Sequence, residues 1–251
     1  QEIALSDLEA QIAGVRERLD YIERIPQLIA SEQADYQANI SLLEARILAR
    51  QSPHKIAYLT FDDGPFDLTK EYLQVLADKE VRATFFVLGK PQHQETYLAI
   101  AQAGHAIANH TYTHKIKDGL YQSPDTFIND VLRLQELVYD YTGVTTNIVR
   151  FPGGSASAGS QLEAMVAKLR EKDYGYLDWD AIDGDGNNRN LTASTAMANL
   201  QKTVGSKKIA VILLHDYNYV TLSILPEAID WLKEEGYILL PLYYESIKVK
   251  K

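Results

Sequence analysis

The chain has 251 residues, 46% of them hydrophobic and 24% charged, which is enough to bury one large core with a smaller appendage. Its formal net charge of −9 and the lack of a dense lysine and arginine tract argue against a nucleic-acid-binding protein, because phosphate binding requires a basic surface. The absence of cysteine excludes disulfide bonds, thiolate zinc sites and cysteine nucleophiles.

Residues 1–52 are predicted to form an amphipathic helical extension or spacer. Apolar residues recur at intervals of three and four between residues 5 and 22 and again between residues 36 and 47. Pro26 lies between these stripes and is expected to kink or interrupt the helix, so two helices or one bent helix fit the pattern. The stripe is either a self-packing spacer or the seam of a coiled-coil dimer, which would make the protein an oligomer.

Residues 53–251 show short apolar runs that alternate with segments of helical periodicity. The predicted strands are 56–61, 83–87, 106–109, 147–151, 174–179, 209–214 and 237–241. The predicted helices are 69–79, 95–103, 124–141, 161–172, 193–204 and 225–235. Alternation implies parallel β/α architecture, and the near-continuous apolar strands need cover on both faces. The expected fold is therefore α/β, a distorted (β/α) barrel of about seven parallel strands with an N-terminal helical extension.

Two adjacent carboxylates close the first predicted strand. Asp62 and Asp63 point in opposite directions if the strand persists to that point, so they can serve different roles. Gly64-Pro65 then forces a turn that leaves both carboxylates at the rim of the fold, where parallel α/β proteins place their chemistry. On its own, this segment is equally typical of an ordinary surface turn.

Three histidines follow other predicted strands. His110 and His114 are spaced by one helical turn, although a loop could also hold both imidazoles, and His215 closes the apolar run 209–214. A carboxylate with two histidines is a metal ligand set, and the remaining carboxylate and histidine supply a base and an acid. The coincidence of these clusters favours a hydrolytic metal site. The other histidines are predicted to be structural or surface residues: His54, His93 and His105.

The motifs resemble those of the metal-dependent polysaccharide deacetylases of carbohydrate esterase family four, also called the nodulation-factor deacetylase homology domain. The resemblance covers about residues 55–242 and rests on Thr60-Phe61-Asp62-Asp63-Gly64-Pro65, His110-Thr111-Tyr112-Thr113-His114 and Leu214-His215-Asp216. It implies that Asp62 is the catalytic base and His215 the general acid. The implied metal ligands are Asp63, His110 and His114.

Two further motifs depart from the family pattern. Many members have Arg-X-Pro-Tyr where this chain has Arg150-Phe151-Pro152-Gly153, so the arginine is retained and the tyrosine is lost. The resemblance implies that Arg150 orients Asp62 and that the amide of Gly153 faces the oxyanion.

The fourth motif supplies an aspartate that tunes the acid histidine. Here the segment after Trp179 offers several aspartates, of which Asp185 is favoured and Asp183 is the alternative, and Gly186 replaces the family's tryptophan. Two residues near His215 are expected to line the acetyl pocket or the sugar groove: Leu213 and Tyr217.

The implied enzyme is a metal-dependent polysaccharide N-deacetylase. Its expected substrate is an N-acetylated glycan of GlcNAc type, with peptidoglycan first and chitin oligomers second, and its expected metal is zinc, with cobalt or nickel also suited to the ligands. The chain begins at Gln1 and contains no apolar run of the roughly 20 residues that a membrane span needs. We expect an extracellular or cell-surface location, with any anchor or signal outside this chain.

Three competing interpretations remain open at this point. The same scaffold could carry an O-acetyl xylan esterase or a non-sugar amidase. It could also be a non-catalytic glycan-binding relative, although degenerate metal ligands would then be expected and none are seen. Finally, the amphipathic extension could serve assembly as an interaction segment, which is compatible with catalysis in the second domain.

Overall fold

The computed structural model describes Arg16 and residues 37–186, 188 and 190–251. Contacts within the chain define two units, Gln1–Leu42 and Leu43–Lys251. The predicted stripe at residues 5–22 lies outside the described residues except for Arg16, as does Pro26. The domain boundary after residue 52 and self-association through the extension therefore stay predictions. Residues 37–48 are helical and form α1.

A parallel sheet forms the centre of the second unit. Seven strands follow the order β5-β4-β3-β2-β1-β7-β6, and β8 pairs with the first residues of β1. The strands are β1 (Lys55–Asp62), β2 (Thr84–Val87), β3 (Ala106–Asn109), β4 (Ile148–Val149), β5 (Gly175–Tyr176), β6 (Ala181–Ile182), β7 (Ile209–His215) and β8 (Tyr237–Leu239). The predicted fold class is confirmed. The sequence missed only β6, because its two apolar residues lie between Asp180 and Asp183 and belong to no longer apolar run.

The sheet must curl, because a short segment joins its two edges. Laid flat, a path of seven strands would hold its edges about 29 Å apart, at about 4.8 Å per strand spacing. Tyr176 on one edge and Ala181 on the other are only five residue steps apart in the chain, which span at most about 18 Å. Hydrogen bonds from Leu177 N–H to Val149 O and from Asp180 N–H to Val211 O attach this segment to both sides. The sheet is therefore a distorted barrel whose interior is lined by side chains.

Helices cover the outside of the curled sheet. They are α2 (Thr69–Asp78), α3 (Gln94–Gln102), α4 (Pro124–Thr142), α5 (Leu162–Arg170), α6 (Ala193–Val204) and α7 (Tyr219–Glu234). The predicted start of α7 at residue 225 was six residues late, because the Asn218 side chain caps the helix and Pro226 lies inside it. Among the described residues, no helix combines the length and hydrophobicity that a bilayer crossing requires.

Side chains on the central strands point alternately to the face that the helices cover and to the inner face, which carries the site. On β1, Ala57, Leu59 and Phe61 pack in the cluster shared with the covering helices, whereas Ile56 and Tyr58 pack in the cluster inside the barrel. Side chains two residues apart share a face, so Thr60 and Asp62 also face inward. The same period on β7 puts Leu213 and His215 on the inner face. The site is therefore built on the two longest strands.

Candidate active site

The polar residues meet at the carboxyl ends of the strands, around one cavity. Asp62 and His215 are register partners on β1 and β7, His110 follows β3, and Arg150 follows β4. The cavity has a volume of about 350 Å³. Its lining includes most of the predicted site residues: Asp62, Asp63, His110, His114, Gly153, Asp185, Leu213, His215 and Tyr217.

Asp63, His110 and His114 form a candidate metal site. One donor atom from each lies within 4.8 Å of the other two, and Asp63 Oδ1 is 3.6 Å from His110 Nε2 and 3.5 Å from His114 Nε2. Asp63 Oδ1 is buried and accepts no hydrogen bond from the described residues. A buried carboxylate oxygen without a donor is costly, so the arrangement fits a cation that binds between these three atoms.

The two histidines are held by a loop, not by a helical turn. Residues 110–114 are non-helical, and both Asp63 and His114 have positive φ, at 72° and 54°. Asn109 Oδ1 accepts a hydrogen bond from Thr111 N–H, and Thr111 Oγ1 accepts one from His114 N–H. Of the two arrangements that the spacing allowed, the structure has the loop.

His110 is oriented as a metal ligand by its own backbone neighbourhood. Its Nδ1 lies 2.8 Å from the carbonyl oxygen of Arg150, which fixes the proton on Nδ1 and leaves the Nε2 lone pair toward Asp63. Burial lowers the pKa of His110 to about 3. The ring is therefore neutral at physiological pH, as a ligand must be.

Asp62 forms a buried pair with Arg150. Arg150 Nη1 donates to Asp62 Oδ1 at 2.7 Å and to Thr60 Oγ1 at 2.8 Å, and the guanidinium lies 4.0 Å from the centre of the Phe86 ring. Burial raises the pKa of Asp62, and the charge of Arg150 opposes that shift. Asp62 Oδ2 remains 3.6 Å from His110 Nε2, at the edge of the metal site.

His215 forms the second pair, with Asp185. Asp185 Oδ1 lies 2.7 Å from His215 Nδ1, and Asp185 Oδ2 accepts the His215 backbone N–H at 2.7 Å. Burial alone would lower the pKa of His215, but the hydrogen bond and charge of Asp185, with Asp62 and Asp63, raise it to about 9. Between the two candidates from the sequence, Asp185 rather than Asp183 contacts the histidine.

Behind this pair lies a residue that sequence reasoning missed. The Thr221 hydroxyl is 2.7 Å from Asp183 Oδ2 and 3.0 Å from Asp185 Oδ2. Burial, followed by the charge of Asp185, raises the pKa of Asp183 to about 7. Thr60 was also missed as a partner of Arg150, although it belongs to the Thr60–Pro65 motif and shares the inner face with Asp62.

The remaining predicted residues lie around the cavity mouth. Leu213 is buried, and Tyr217 is partly exposed with its ring 5.2 Å from that of His215. A Cβ on Gly186 would stand 2.8 Å from His215 Cε1, so the replacement of the family's tryptophan leaves room for the imidazole. Gly153 has a φ of 71°, and its loop is fixed by Ser155, whose N–H and hydroxyl donate to Asp178.

The chain is similar to known polysaccharide deacetylases. Residues 49–171 match the family described as polysaccharide deacetylase. A peptidoglycan-N-acetylglucosamine deacetylase from Bacillus cereus (strain ATCC 14579) is 31% identical over 229 residues, covering 89% of this chain and 81% of that protein. YheN from Bacillus subtilis (strain 168) is 35% identical over 190 residues, which are 73% of this chain and 65% of YheN, so the chain spans less than two thirds of that relative.

A solved structure shares the fold closely. The catalytic domain of peptidoglycan N-acetylglucosamine deacetylase from Eubacterium rectale ATCC 33656 superposes with a TM-score of 0.74 at 31% identity. The match covers 80% of this chain and 94% of that one.

Proposed function

Since the chain belongs to the polysaccharide deacetylase family, we propose that it hydrolyses the N-acetyl groups of GlcNAc units in peptidoglycan. One observation carries this proposal: a carboxylate and two imidazoles that fit a cation lie between a carboxylate suited to be a base and a histidine suited to be an acid. The peptidoglycan relatives support the choice of glycan.

Zinc is the proposed metal. Asp63, His110 and His114 would hold it, because one oxygen and two nitrogen ligands without thiolate suit zinc, with cobalt and nickel as alternatives. Bound there, a divalent ion supplies Lewis-acid activation of water and of the acetamide carbonyl. The side chains and backbone of this chain supply proton transfer and hydrogen bonding to the oxyanion.

Asp62 and His215 are proposed to move the protons. Asp62 accepts a proton from the attacking water, while Arg150 holds the carboxylate in place through its Oδ1. His215, kept protonated by Asp185, gives its proton to the leaving nitrogen, so the C–N bond breaks to release acetate and a free amine. The Gly153 amide is the proposed donor to the oxyanion.

We also propose that the enzyme acts outside the cell or at its surface. Peptidoglycan is an extracellular polymer, so this location follows from the proposed substrate. Self-association through residues 1–52 stays a separate prediction, to be tested by size-exclusion chromatography of a form without those residues.

The test is acetate release from a panel of peptidoglycan, chitin oligomers and acetylated xylan. We expect the zinc-loaded wild type to act on peptidoglycan, and chelation to abolish the activity. Asp62→Asn and His215→Ala should each lose about 10²–10⁴-fold in rate while retaining bound metal, because each removes a proton-transfer group.

Matched controls are available on the surface. Asp67 is fully exposed and His54 is exposed, so Asp67→Asn and His54→Ala should leave the rate unchanged. Full activity of both Asp62→Asn and His215→Ala would overturn the assigned roles. Release of acetate from xylan or chitin in preference to peptidoglycan would overturn the proposed substrate.

A further inference from the structure

A three-residue segment after β2 bonds to both loops that carry the candidate metal ligands. Leu88 N–H donates to Gly64 O at 2.7 Å, one residue beyond Asp63, and Gly89 N–H donates to Tyr112 O at 2.9 Å, between the two histidines. A Cβ on Gly89 would lie 2.4 Å from the Tyr112 ring, so the approach requires glycine. The segment thus fixes one loop relative to the other.

Within this segment, the Lys90 side chain contacts Asp63, which is one of the candidate metal ligands. Its ammonium donates to the Asp63 backbone oxygen at 2.7 Å and lies 3.1 Å from the centre of the Phe66 ring. Its backbone N–H donates to the Tyr97 hydroxyl at 3.0 Å. Lys90 is therefore held at its backbone and at its charged end.

The contact falls on a residue with an unfavourable backbone conformation. Asp63 has a φ of 72°, a left-handed conformation that is uncommon outside glycine, although aspartate adopts it more readily than most residues. That conformation sets both the direction of the Asp63 carbonyl and the direction in which its carboxylate leaves the chain. A donor that holds the carbonyl consequently also holds the carboxylate toward His110 and His114.

We propose that Lys90 is a positioning residue of the metal centre, which keeps Asp63 in the ligand conformation and so strengthens cation binding. The inference rests on the proposed metal-dependent function. It opposes simple electrostatics, because a positive charge near the site repels a cation and its removal would tighten binding. Positioning therefore predicts weaker cation binding when Lys90 is replaced by a residue without a charge or donor, whereas charge repulsion predicts tighter binding.

The experiment measures metal affinity in the full chain, stripped by a chelator and titrated with zinc in competition with an indicator. We expect Lys90→Met to bind zinc at least about tenfold more weakly than wild type, as is typical when the hydrogen-bond support of a ligand is lost. Lys90→Arg, which retains a cationic donor, should recover most of the affinity. Lys117→Met removes an exposed lysine on the histidine side and should bind as wild type does.

A second readout is the visible spectrum of the cobalt-substituted protein at saturating metal. We expect Lys90→Met to change this spectrum, since a displaced Asp63 alters the coordination geometry, and Lys90→Arg to restore it. If Lys90→Met does not fold, Lys90→Leu carries the test, since it also removes the donor and is expected to bind zinc more weakly than wild type. Zinc affinity equal to or tighter than wild type in whichever neutral variant folds would overturn the proposal.

These outcomes are separable from the proposed function. A wild type that binds zinc but releases no acetate from any glycan would reject the deacetylase, and the affinity series would still decide the role of Lys90. Conversely, an active wild type with zinc affinity unaffected by substitution of Lys90 would reject the positioning role alone.

Discussion

The two flanks of the candidate metal site are built alike and used in opposite ways. Each contains a buried carboxylate paired at 2.7 Å with a cationic or protonatable partner, Asp62 with Arg150 and Asp185 with His215. In the first pair the carboxylate faces the cavity and the arginine is fully buried behind it. In the second, the imidazole Nε2 faces the metal ligands and the carboxylate stands behind.

The difference shows how one type of contact yields a base on one side and an acid on the other. Arginine keeps its proton at any physiological pH, so the Asp62–Arg150 pair can only gain a proton, at the carboxylate. Histidine can lose its proton, so the His215–Asp185 pair can donate one at Nε2. The partner that faces the cavity sets the direction of proton transfer.

Arg150→Met should have the largest effect, because it converts the first flank into an unpaired buried carboxylate. We expect a loss of about 3–5 kcal/mol in the free energy of unfolding and of about 10²–10⁴ in kcat/KM. Without the opposing charge of Arg150, burial raises the pKa of Asp62 further, and a protonated carboxyl cannot act as base. Urea denaturation and acetate release measure the two effects. Arg170→Met, at an exposed arginine in the last turn of α5, is the matched control.

An Arg150→Met protein with the stability and rate of wild type would contradict the role assigned to the Asp62–Arg150 pair. It would mean that Asp62 does not depend on its pair. Arg150→Lys sharpens the test, since it keeps the charge but loses the planar guanidinium, whose Nη1 donates to both Asp62 and Thr60 and whose Nη2 lies 3.5 Å from the Asp178 carbonyl oxygen.

Asp185→Asn addresses the second flank by removing the charge while keeping the shape. We expect kcat to fall by about 10², and the alkaline limb of the kcat/KM profile to move to lower pH. The sign follows because Asp185 raises the pKa of His215, to about 9, and an acid with a lower pKa loses its proton at lower pH. Asp67→Asn is the control, because the Asp67 side chain is fully exposed, and its kcat/KM profile should keep the alkaline limb of wild type. An unshifted limb in Asp185→Asn would contradict the pairing.

The strands that carry these flanks could be predicted from the sequence, because β1 and β7 are long apolar runs that end in ionisable residues. β6 and the first turn of α7 could not, since the two apolar residues of β6 are flanked by aspartates and the cap of α7 depends on the side-chain geometry of Asn218. The local hydrophobic pattern of the sequence thus identifies long strands and helices. It fails for an element whose bounds depend on a tertiary contact.

The same division holds within the site. Residues in compact motifs, such as Asp62 and His110, could be assigned before the fold was known. Thr221 lies 36 positions from Asp185 in the chain, and Lys90 reaches Asp63 from a separate strand end. Their roles arise only when the sheet brings these segments together, and no spacing in the sequence encodes that.

His105 provides the last test, as a buried histidine that lacks the carboxylate of the second flank. It lies just before β3, at the end of the strands opposite to the site, where its Nδ1 accepts the Ala83 N–H at 3.0 Å and its ring packs edge-on against that of Phe85. Burial and then the charge of Arg82 lower the pKa of His105 to about 4, whereas Asp185 holds the pKa of His215 high. Burial without a carboxylate thus keeps an imidazole neutral.

We expect this neutral histidine to make the fold acid-sensitive. Between pH 6.5 and 4 the unfolded chain binds a proton that folded His105 rejects, so its contribution is complete above that range and is lost as the pH falls. From pH 7 to pH 5, wild type should lose about 2 kcal/mol of unfolding free energy relative to His105→Gln, which has no titrating ring. Urea denaturation of both proteins at each pH measures the difference, with the exposed His54→Gln as control. A difference that does not change with pH would show that burial does not lower the pKa of His105, and that burial alone does not separate it from His215.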